Sequence, residues 1–244
     1  SYLCAVNKKA CCMYKFYFFL FCAIICASCG KKYKIEGVSS VSSLDGKMLF
    51  IKVPSGNQMV KIDSTEVIHG LFKMEGKVDS AQLVSLFMDD ESIMPFVLED
   101  GDIYIDISNS GITIKGTPLN DCFNDFVMKK NSLDDRAYEV ERQESRMIMD
   151  GKDSETIHRE ITRLRKEVND EMNALAKEFI QANYENVLGP GVFIMICNAF
   201  PYPMLTPLLE EIVDQAPESF KNNPMIKEYM AVARSNMEKI GASR

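Results

Sequence analysis

Two cysteines near the N-terminus, Cys26 and Cys29, have the C-x-x-C spacing found in thiol-disulfide redox centres and in zinc sites. A redox pair of this kind normally lies at the start of a helix inside a folded domain, where the thiolate is stabilised. Here Cys26 lies inside an almost wholly apolar run, Phe16–Ala27, that stops just before Cys29. These surroundings favour a targeting or anchoring role over redox chemistry or metal binding.

The segment that contains the pair has the layout of a secretory leader. Read from Met13, it has a short positive n-region, an apolar h-region of about ten residues and small residues before Cys29. The apolar run is too short for a membrane span, which needs roughly 20 residues. We therefore expect residues 1–29 to be an N-terminal extension with a signal peptide, in which residues 1–12 are an upstream extension of the reading frame.

A cysteine directly after small residues at the end of an h-region resembles the bacterial lipoprotein signal. In that signal the cysteine thiol is acylated, the peptide bond before it is cut, and the cysteine becomes the new N-terminus. The resemblance implies that Cys29 is lipidated and that Lys31, Lys32 and Lys34 lie at the level of the lipid headgroups. One position departs from the pattern, since Cys26 stands where the signal prefers leucine, valine or isoleucine. An uncleaved hydrophobic anchor is the alternative.

The bulk composition is that of an ordinary globular protein with an acidic body. The chain has 244 residues, of which 46% are hydrophobic and 26% are charged. The first 29 residues hold three of the 28 basic side chains and none of the 35 acidic ones, so the remainder has a net charge of −10. Such a body repels a phosphate backbone, and we expect no nucleic-acid binding. Six of the eight cysteines lie in the first 29 residues, which excludes a disulfide scaffold.

Between residues 30 and 116 the pattern is that of short strands. Apolar or alternating runs are separated by turn signals that contain glycine. The runs are Lys47–Val53, Gln82–Met88, Met94–Glu99, Asp102–Ile107 and Ile112–Lys115. In the fourth of them isoleucine alternates with polar residues, which predicts a sheet with one face in water. We therefore expect an antiparallel β-sandwich or barrel-like domain over residues 30–116.

The periodicity changes to that of helices at about residue 117. The threonine and proline at residues 117–118 suit a helix cap and the first helical position. Apolar residues then recur every three or four positions on both sides of a turn at Gly151, with Asp153 or Ser154 as the second cap. The pattern predicts two helices of about 30 residues each in an antiparallel hairpin, followed by shorter helices. We expect residues 117–244 to form an all-helical domain, and the fold class to be α+β.

Two stretches of the chain carry a recognisable pattern. The first is D-S-x-x-V-x-x-G-x-F-x-x-x-G at residues 63–76, and the second is G-T-x-L-N at residues 116–120. Together they resemble the domain of unknown function 4369, which heads many lipoproteins of one group of Gram-negative anaerobes. The resemblance extends over about residues 33–240. It implies the fold, a lipid anchor and an envelope location.

In that family a thioredoxin-like domain with a W-C-x-x-C active site usually follows. This sequence ends at Arg244, contains no tryptophan and has no C-x-x-C after Cys29, so we do not expect the redox activity to carry over. The glycine and lysines at residues 30–32 lack the acidic run that accompanies surface export in such organisms. We therefore expect an outer-membrane lipoprotein that faces the periplasm.

Few other residues suggest chemistry. Cys122 and Cys197 could form one disulfide or act as a redox pair in an oxidising envelope. The alternative is that both are unreactive core residues, because both fall on apolar helical faces. The two histidines, His69 and His158, lack the spacing of metal ligands, so we expect no metal site.

Two further features have ordinary explanations. The acidic clusters Asp89–Ser92 and Leu133–Asp135 lack the glycine spacing of a calcium loop and are typical of solvated surface. No catalytic or nucleotide-binding motif is present, so we expect no catalytic residues and no cofactor. The 15 methionines either fill the core or line a groove for an apolar ligand or a partner helix.

The sequence therefore predicts a lipid-anchored, non-catalytic binding or scaffolding module of the cell envelope. Its partners would be the membrane, through the acyl chains, and a separate thioredoxin-like protein, the latter by family association alone. The alternative function is a thiol-disulfide redox-associated protein related to the thioredoxin-like lipoproteins. Such a protein would use Cys122 and Cys197, or would have lost its catalytic domain.

Overall fold

The computed structural model describes residues 30–56 and 58–242. Over these residues eight strands come first and six α-helices follow, which confirms the α+β class. The strands are β1 (Lys32–Ser39), β2 (Met48–Ser55), β3 (Gln58–Glu66), β4 (Leu71–Lys77), β5 (Gln82–Met88), β6 (Glu91–Leu98), β7 (Gly101–Ser108) and β8 (Gly111–Lys115). The helices are α1 (Pro118–Met149), α2 (Ser154–Ala182), α3 (Leu188–Cys197), α4 (Pro207–Asp214), α5 (Glu218–Lys221) and α6 (Pro224–Ala242), and a 3₁₀ turn, Ser42–Leu44, lies between β1 and β2. Cys29, the residue that we expect to be lipidated, lies outside the described residues.

The strands form two four-stranded sheets that pack into a sandwich. The first sheet has the order β4-β1-β7-β8 and the second has the order β3-β2-β5-β6. Neighbouring strands are antiparallel, as expected, except β1 and β7, which run parallel with Tyr33 opposite Gly101. The parallel pair was not predicted, because it joins segments that are far apart in the sequence.

The core of the sandwich is made by the inward positions of both sheets. In β7, Ile103, Ile105 and Ile107 are buried and the polar residues between them are exposed, which confirms a sheet with one face in water. The second sheet contributes buried apolar residues to the same cluster. These include Leu49, Ile51, Val84, Leu86 and Phe96.

The long helical hairpin is present as predicted. Helix α1 has 32 residues, so it spans about 48 Å at 1.5 Å per residue. Near the turn the two helices pack on each other, around the buried residues Val140, Ile161 and Val168. Arg136 bridges the helices with a two-pronged ion pair to Glu171, at 2.5 and 2.7 Å.

Both predicted helix starts are found, but their caps differ in chemistry. Asp153 caps α2, because its carboxylate accepts a hydrogen bond of 2.9 Å from the N–H of Thr156, which lowers the pKa of Asp153. At the start of α1, by contrast, the N–H groups of Leu119 and Asn120 both donate to Oε1 of Glu99, at 3.0 and 3.3 Å. The cap of α1 therefore comes from the turn between β6 and β7 and not from the predicted Thr117.

Asn120 fixes α1 to the edge of the second sheet. Its side chain is 1% exposed. The amide Nδ2 donates to the carbonyl of Val97 at 2.7 Å, and Oδ1 accepts from the N–H of Val97 at 2.9 Å. Nδ2 also donates to Oγ1 of Thr117 at 2.8 Å. One carboxamide thus takes the place of a neighbouring strand at this residue of β6.

The helices share a core with the outer face of the second sheet. Val97 is fully buried in a cluster with residues of α1, α3, α4 and α6, and Leu83 packs against the same cluster. Helix α3 approaches the sheet closely, since a Cβ on Gly191 would lie 2.5 Å from Cδ2 of Leu83. The predicted boundary between residues 116 and 117 therefore stays a prediction, because the parts on either side of it pack together.

Within the described ranges, no helix combines the length and the apolar character needed to cross a bilayer.

Candidate functional site

A groove of about 810 Å³ that could hold a ligand lies between the second sheet and the helices. Strands β2, β3, β5 and β6 contribute one side, and α3, α5, α6 and the segment between α2 and α3 contribute the other. A groove of this size at the junction of two structural layers is where small-molecule or peptide ligands are usually bound.

The floor of the groove follows from the alternation of side chains along β5 and β6. Val84 and Phe96 point into the sandwich, so Leu83 and Ser85 of β5 and Pro95 of β6 lie on the opposite face. Pro95 has no N–H to offer, which suits the outermost strand of the sheet. Together with Val53, Pro54 and Met59 these residues make a largely apolar floor.

The wall facing this floor comes from α3 and its surroundings. Gly191 allows the close approach of α3, so that Ile194 and Met195 stand beside the sheet. The segment before α3 is held in place by Tyr184, whose hydroxyl donates to the carbonyl of Ile212 at 2.6 Å. Burial raises the pKa of this tyrosine, so it stays a neutral donor.

Charged groups are sparse along the groove. Glu185 is the one charged residue among the described residues that line it, and the Ser219 hydroxyl donates to its carboxylate at 2.8 Å. Asn223 accepts a hydrogen bond of 3.0 Å from the N–H of Met225. Over the described chain, the side chains of Asn198 and Ser85 make no hydrogen bond. The groove thus offers apolar surface with a few uncharged hydrogen-bonding groups.

Three methionines line the groove and remain partly open to solvent. Met59 is 43% exposed, Met195 is 42% exposed and Met225 is 46% exposed. They come from β3, α3 and α6, so no single segment shows their grouping. The sequence left open whether the methionines fill the core or line a groove. These three line the groove, whereas Met74 and Met230 are buried in the cores. Flexible, polarisable side chains of this kind suit a surface that adapts to its ligand.

The two cysteines in the described residues, Cys122 and Cys197, are both free thiols with different surroundings. Cys122 is half-buried, with its sulfur 4.0 Å from the side-chain amide of Asn183. Cys197 is 2% exposed, and burial raises the pKa of its thiol to about 12. A thiolate at Cys197 is therefore scarce at neutral pH. The predicted disulfide stays a prediction.

The remaining predicted features lie at the surface. His69 and His158 are exposed, on the β3–β4 turn and on α2 respectively. Asp89 and Asp90 form the exposed turn between β5 and β6 and pair with Lys47 and Lys52. In the ranges that the structure describes, no group of three or more histidine, cysteine or carboxylate side chains could hold a metal ion.

The D-S-x-x-V-x-x-G-x-F-x-x-x-G stretch forms part of the sandwich interior. Asp63 of β3 accepts a hydrogen bond of 2.7 Å from the hydroxyl of Tyr33 in β1, which links the two sheets. Burial and then this bond raise the pKa of Tyr33. Gly76 makes room for the tyrosine, since a Cβ there would lie 2.5 Å from the hydroxyl oxygen. The stretch therefore has a structural role.

The middle of the D-S-x-x-V-x-x-G-x-F-x-x-x-G stretch also has a structural role. Phe72 lies over Gly37, where a Cβ would be 2.0 Å from the ring. Gly70 has φ +72°, and a Cβ there would lie 2.5 Å from the carbonyl oxygen of Ser39. In the second stretch, Asn120 makes the clamp on β6. These residues specify how the sheets and α1 fit together, and none of those just named lines the groove.

Comparison with known proteins agrees with the resemblance. Residues 33–123 match the model of a family described as a domain of unknown function, DUF4369. The comparisons with curated proteins and with solved structures found no match. The matched residues comprise the sandwich and the first residues of α1, which contain both recognisable stretches. The match confirms the resemblance to DUF4369 over residues 33–123.

Proposed function

We propose that this protein is a lipid-anchored binding module of the cell envelope that holds an uncharged, apolar ligand in the groove between its second sheet and its helices. The observation that carries the binding function is the groove itself, about 810 Å³ with a largely apolar lining and one carboxylate. Sites of this kind bury most of a ligand's surface and fix it with a few polar groups. The module acts by binding and carries out no reaction.

Support for the anchor comes from the leader, in which small residues precede Cys29 at the end of an apolar run. Several acyl chains on one residue give stable attachment, because each buried CH₂ contributes about 0.8 kcal/mol. The proposed location is the periplasmic side of the outer membrane. A thioredoxin-like partner follows from the family resemblance alone.

The groove predicts binding of the neutral fluorescent dye N-phenyl-1-naphthylamine. We expect Met195→Glu to weaken dye binding by at least about tenfold, because a carboxylate in an apolar groove loses water without gaining a partner. Met195 is 42% exposed, so the variant should still fold. Titration of dye fluorescence measures the affinity.

The matched control is Met149→Glu. Met149 lies at the turn of the helical hairpin and is 83% exposed, far along the chain from any groove residue. We expect its dye affinity to stay within about twofold of the unchanged protein, as is usual for exposed surface positions. Equal dye binding by both variants, or no dye binding by the unchanged protein, would remove the groove as the ligand site.

The anchor predicts the mass of the membrane-extracted protein. We expect intact mass spectrometry to show a chain that begins at Cys29 and carries fatty acyl groups, because the leader is cut before the acylated cysteine. Cys29→Ser is expected to release the body from the membrane fraction. An unmodified chain that still carries residues 13–28 would contradict the anchor and leave the groove unaffected.

A further inference from the structure

We propose that the groove takes an extended, uncharged segment of a partner polypeptide, an inference that rests on the groove being the binding site. Three properties of its lining favour this occupant over a lipid, an anionic metabolite or a partner helix. They are its charge, its hydrogen-bonding groups and its methionines. A carboxamide elsewhere in this chain shows how such a segment would be bound.

The charge of the lining argues against an anionic occupant. Of the described lining residues only Glu185 is ionised, and its partner is the Ser219 hydroxyl and not a cation. A fatty-acid carboxylate or a phospholipid phosphate would leave water without finding a lysine or an arginine, at a large cost in free energy. An uncharged occupant has no such cost.

The hydrogen-bonding groups match a peptide backbone. Asn198 presents a whole carboxamide, with two N–H donors and one carbonyl acceptor, and Ser85 presents a hydroxyl from the floor. Asn223 uses its oxygen on the N–H of Met225, and its NH₂ group is available within the described structure. A carboxamide can bond the N–H and the C=O of one residue of an extended segment at the same time, whereas an acyl chain has neither group.

This chain already shows such a contact. Asn120 pairs with both backbone groups of Val97 at 2.9 and 2.7 Å, on the outer edge of β6. An extended segment beside Asn198 would be held in the same manner. A partner helix would not be, because the N–H and C=O groups in its interior are bonded to each other.

The groove methionines can accommodate a partner segment whose apolar side chains differ from one partner to another. Met59, Met195 and Met225 lie on three different elements around the groove and are 42–46% exposed. Surfaces rich in methionine can repack around different apolar side chains, and proteins that accept several partners use them. The selectivity of the groove would then lie in backbone geometry and lack of charge.

The experiment is displacement of N-phenyl-1-naphthylamine from the full-length protein. The competitors are a library of N-acetylated, C-amidated octapeptides composed of valine, leucine, phenylalanine, threonine, serine and glutamine, together with monoolein as a neutral lipid and palmitate as an anionic one. We expect members of the library to displace the dye and palmitate to fail. Methylation of alternate backbone nitrogens in the best peptide should weaken its binding to the groove at least about fivefold, because one or more hydrogen bonds are lost.

Asn198→Leu tests the carboxamide directly. We expect it to weaken binding of the best peptide about fivefold, judged against the dye affinity of the same variant, because hydrogen bonds to the peptide backbone are lost. Asn131→Leu, on the exposed face of α1, is the matched control and should change neither.

Two results would overturn the peptide proposal. One is failure of the whole library, with or without displacement by monoolein. The other is a best peptide whose affinity is insensitive to both N-methylation and Asn198→Leu. In either case, dye binding that is weakened by Met195→Glu would still support the proposed function. Failure of the peptide proposal can therefore be distinguished from failure of the proposed function.

Discussion

Replacing Asn120 by alanine is expected to lower the free energy of unfolding by about 3 kcal/mol, because three hydrogen bonds are lost and the two backbone groups of Val97 are left buried without partners. The change also frees the start of α1 from the sheet edge, which weakens the packing of the hairpin base. Urea unfolding followed by far-ultraviolet circular dichroism measures the effect, since the chain contains no tryptophan.

Asn131→Ala is the matched control for this substitution. Asn131 lies on the same helix but is exposed, so alanine there should be neutral or slightly stabilising through its higher helix propensity. Asn120→Asp is informative as well, because it keeps an acceptor for the N–H of Val97 but removes the donor to the carbonyl. If Asn120→Ala unfolded at the same urea concentration as Asn131→Ala, the clamp would contribute nothing to stability.

Gly70→Ala is expected to lower the free energy of unfolding by about 3 kcal/mol, through two separate costs. The left-handed conformation at φ +72° costs an alanine roughly 1 kcal/mol. The new Cβ would also meet the carbonyl oxygen of Ser39 at 2.5 Å, in the place where the N–H of Ser39 donates to the carbonyl of Gly70 at 2.7 Å. Backbone on both sides must then shift.

Gly46 offers a control that isolates the second cost. It has nearly the same conformation, with φ +76°, but a Cβ there would meet nothing within 4 Å. Gly46→Ala should therefore cost only about 1 kcal/mol. Equal losses of stability at the two glycines would show that contact with Ser39 has no energetic effect and that the left-handed conformation accounts for both.

The difference between the strands that the pattern predicted and those that it missed lies in their burial. Strand β7 alternates cleanly because each of its inward positions holds a buried isoleucine. Strand β3 was missed because it is the outer strand of its sheet and no residue in it is fully buried. In β1 and β4, inward positions hold Gly37 and Gly76, so the apolar alternation is interrupted.

These glycines are explained only by the pairing of β1 with β4. Phe72 of β4 fills the space over Gly37 of β1, and Tyr33 of β1 fills the space over Gly76 of β4. The aromatic ring that each strand lacks at that position is supplied by its neighbour. A pattern read along one strand cannot show this exchange, although the resemblance to DUF4369 already included Phe72 and Gly76.

The candidate site was the least predictable part of the molecule. Its lining comes from four strands, three helices and several of the segments that connect them, and only the abundance of methionine hinted at it. The hairpin, by contrast, was predicted in full, because the contacts between α1 and α2 repeat every three or four residues along both helices. Local periodicity therefore specified the elements, whereas long-range packing created the groove.

The position of β1 has a consequence for the order in which the chain can fold. β1 occupies the interior of the first sheet, between β4 and β7, and its parallel partner lies about 70 residues further along the chain. Until β7 docks, one side of β1 stays bare, and such an edge invites pairing with other chains. Closure of the sandwich therefore depends on Gly101–Ser108, and we expect it to be a late step of folding.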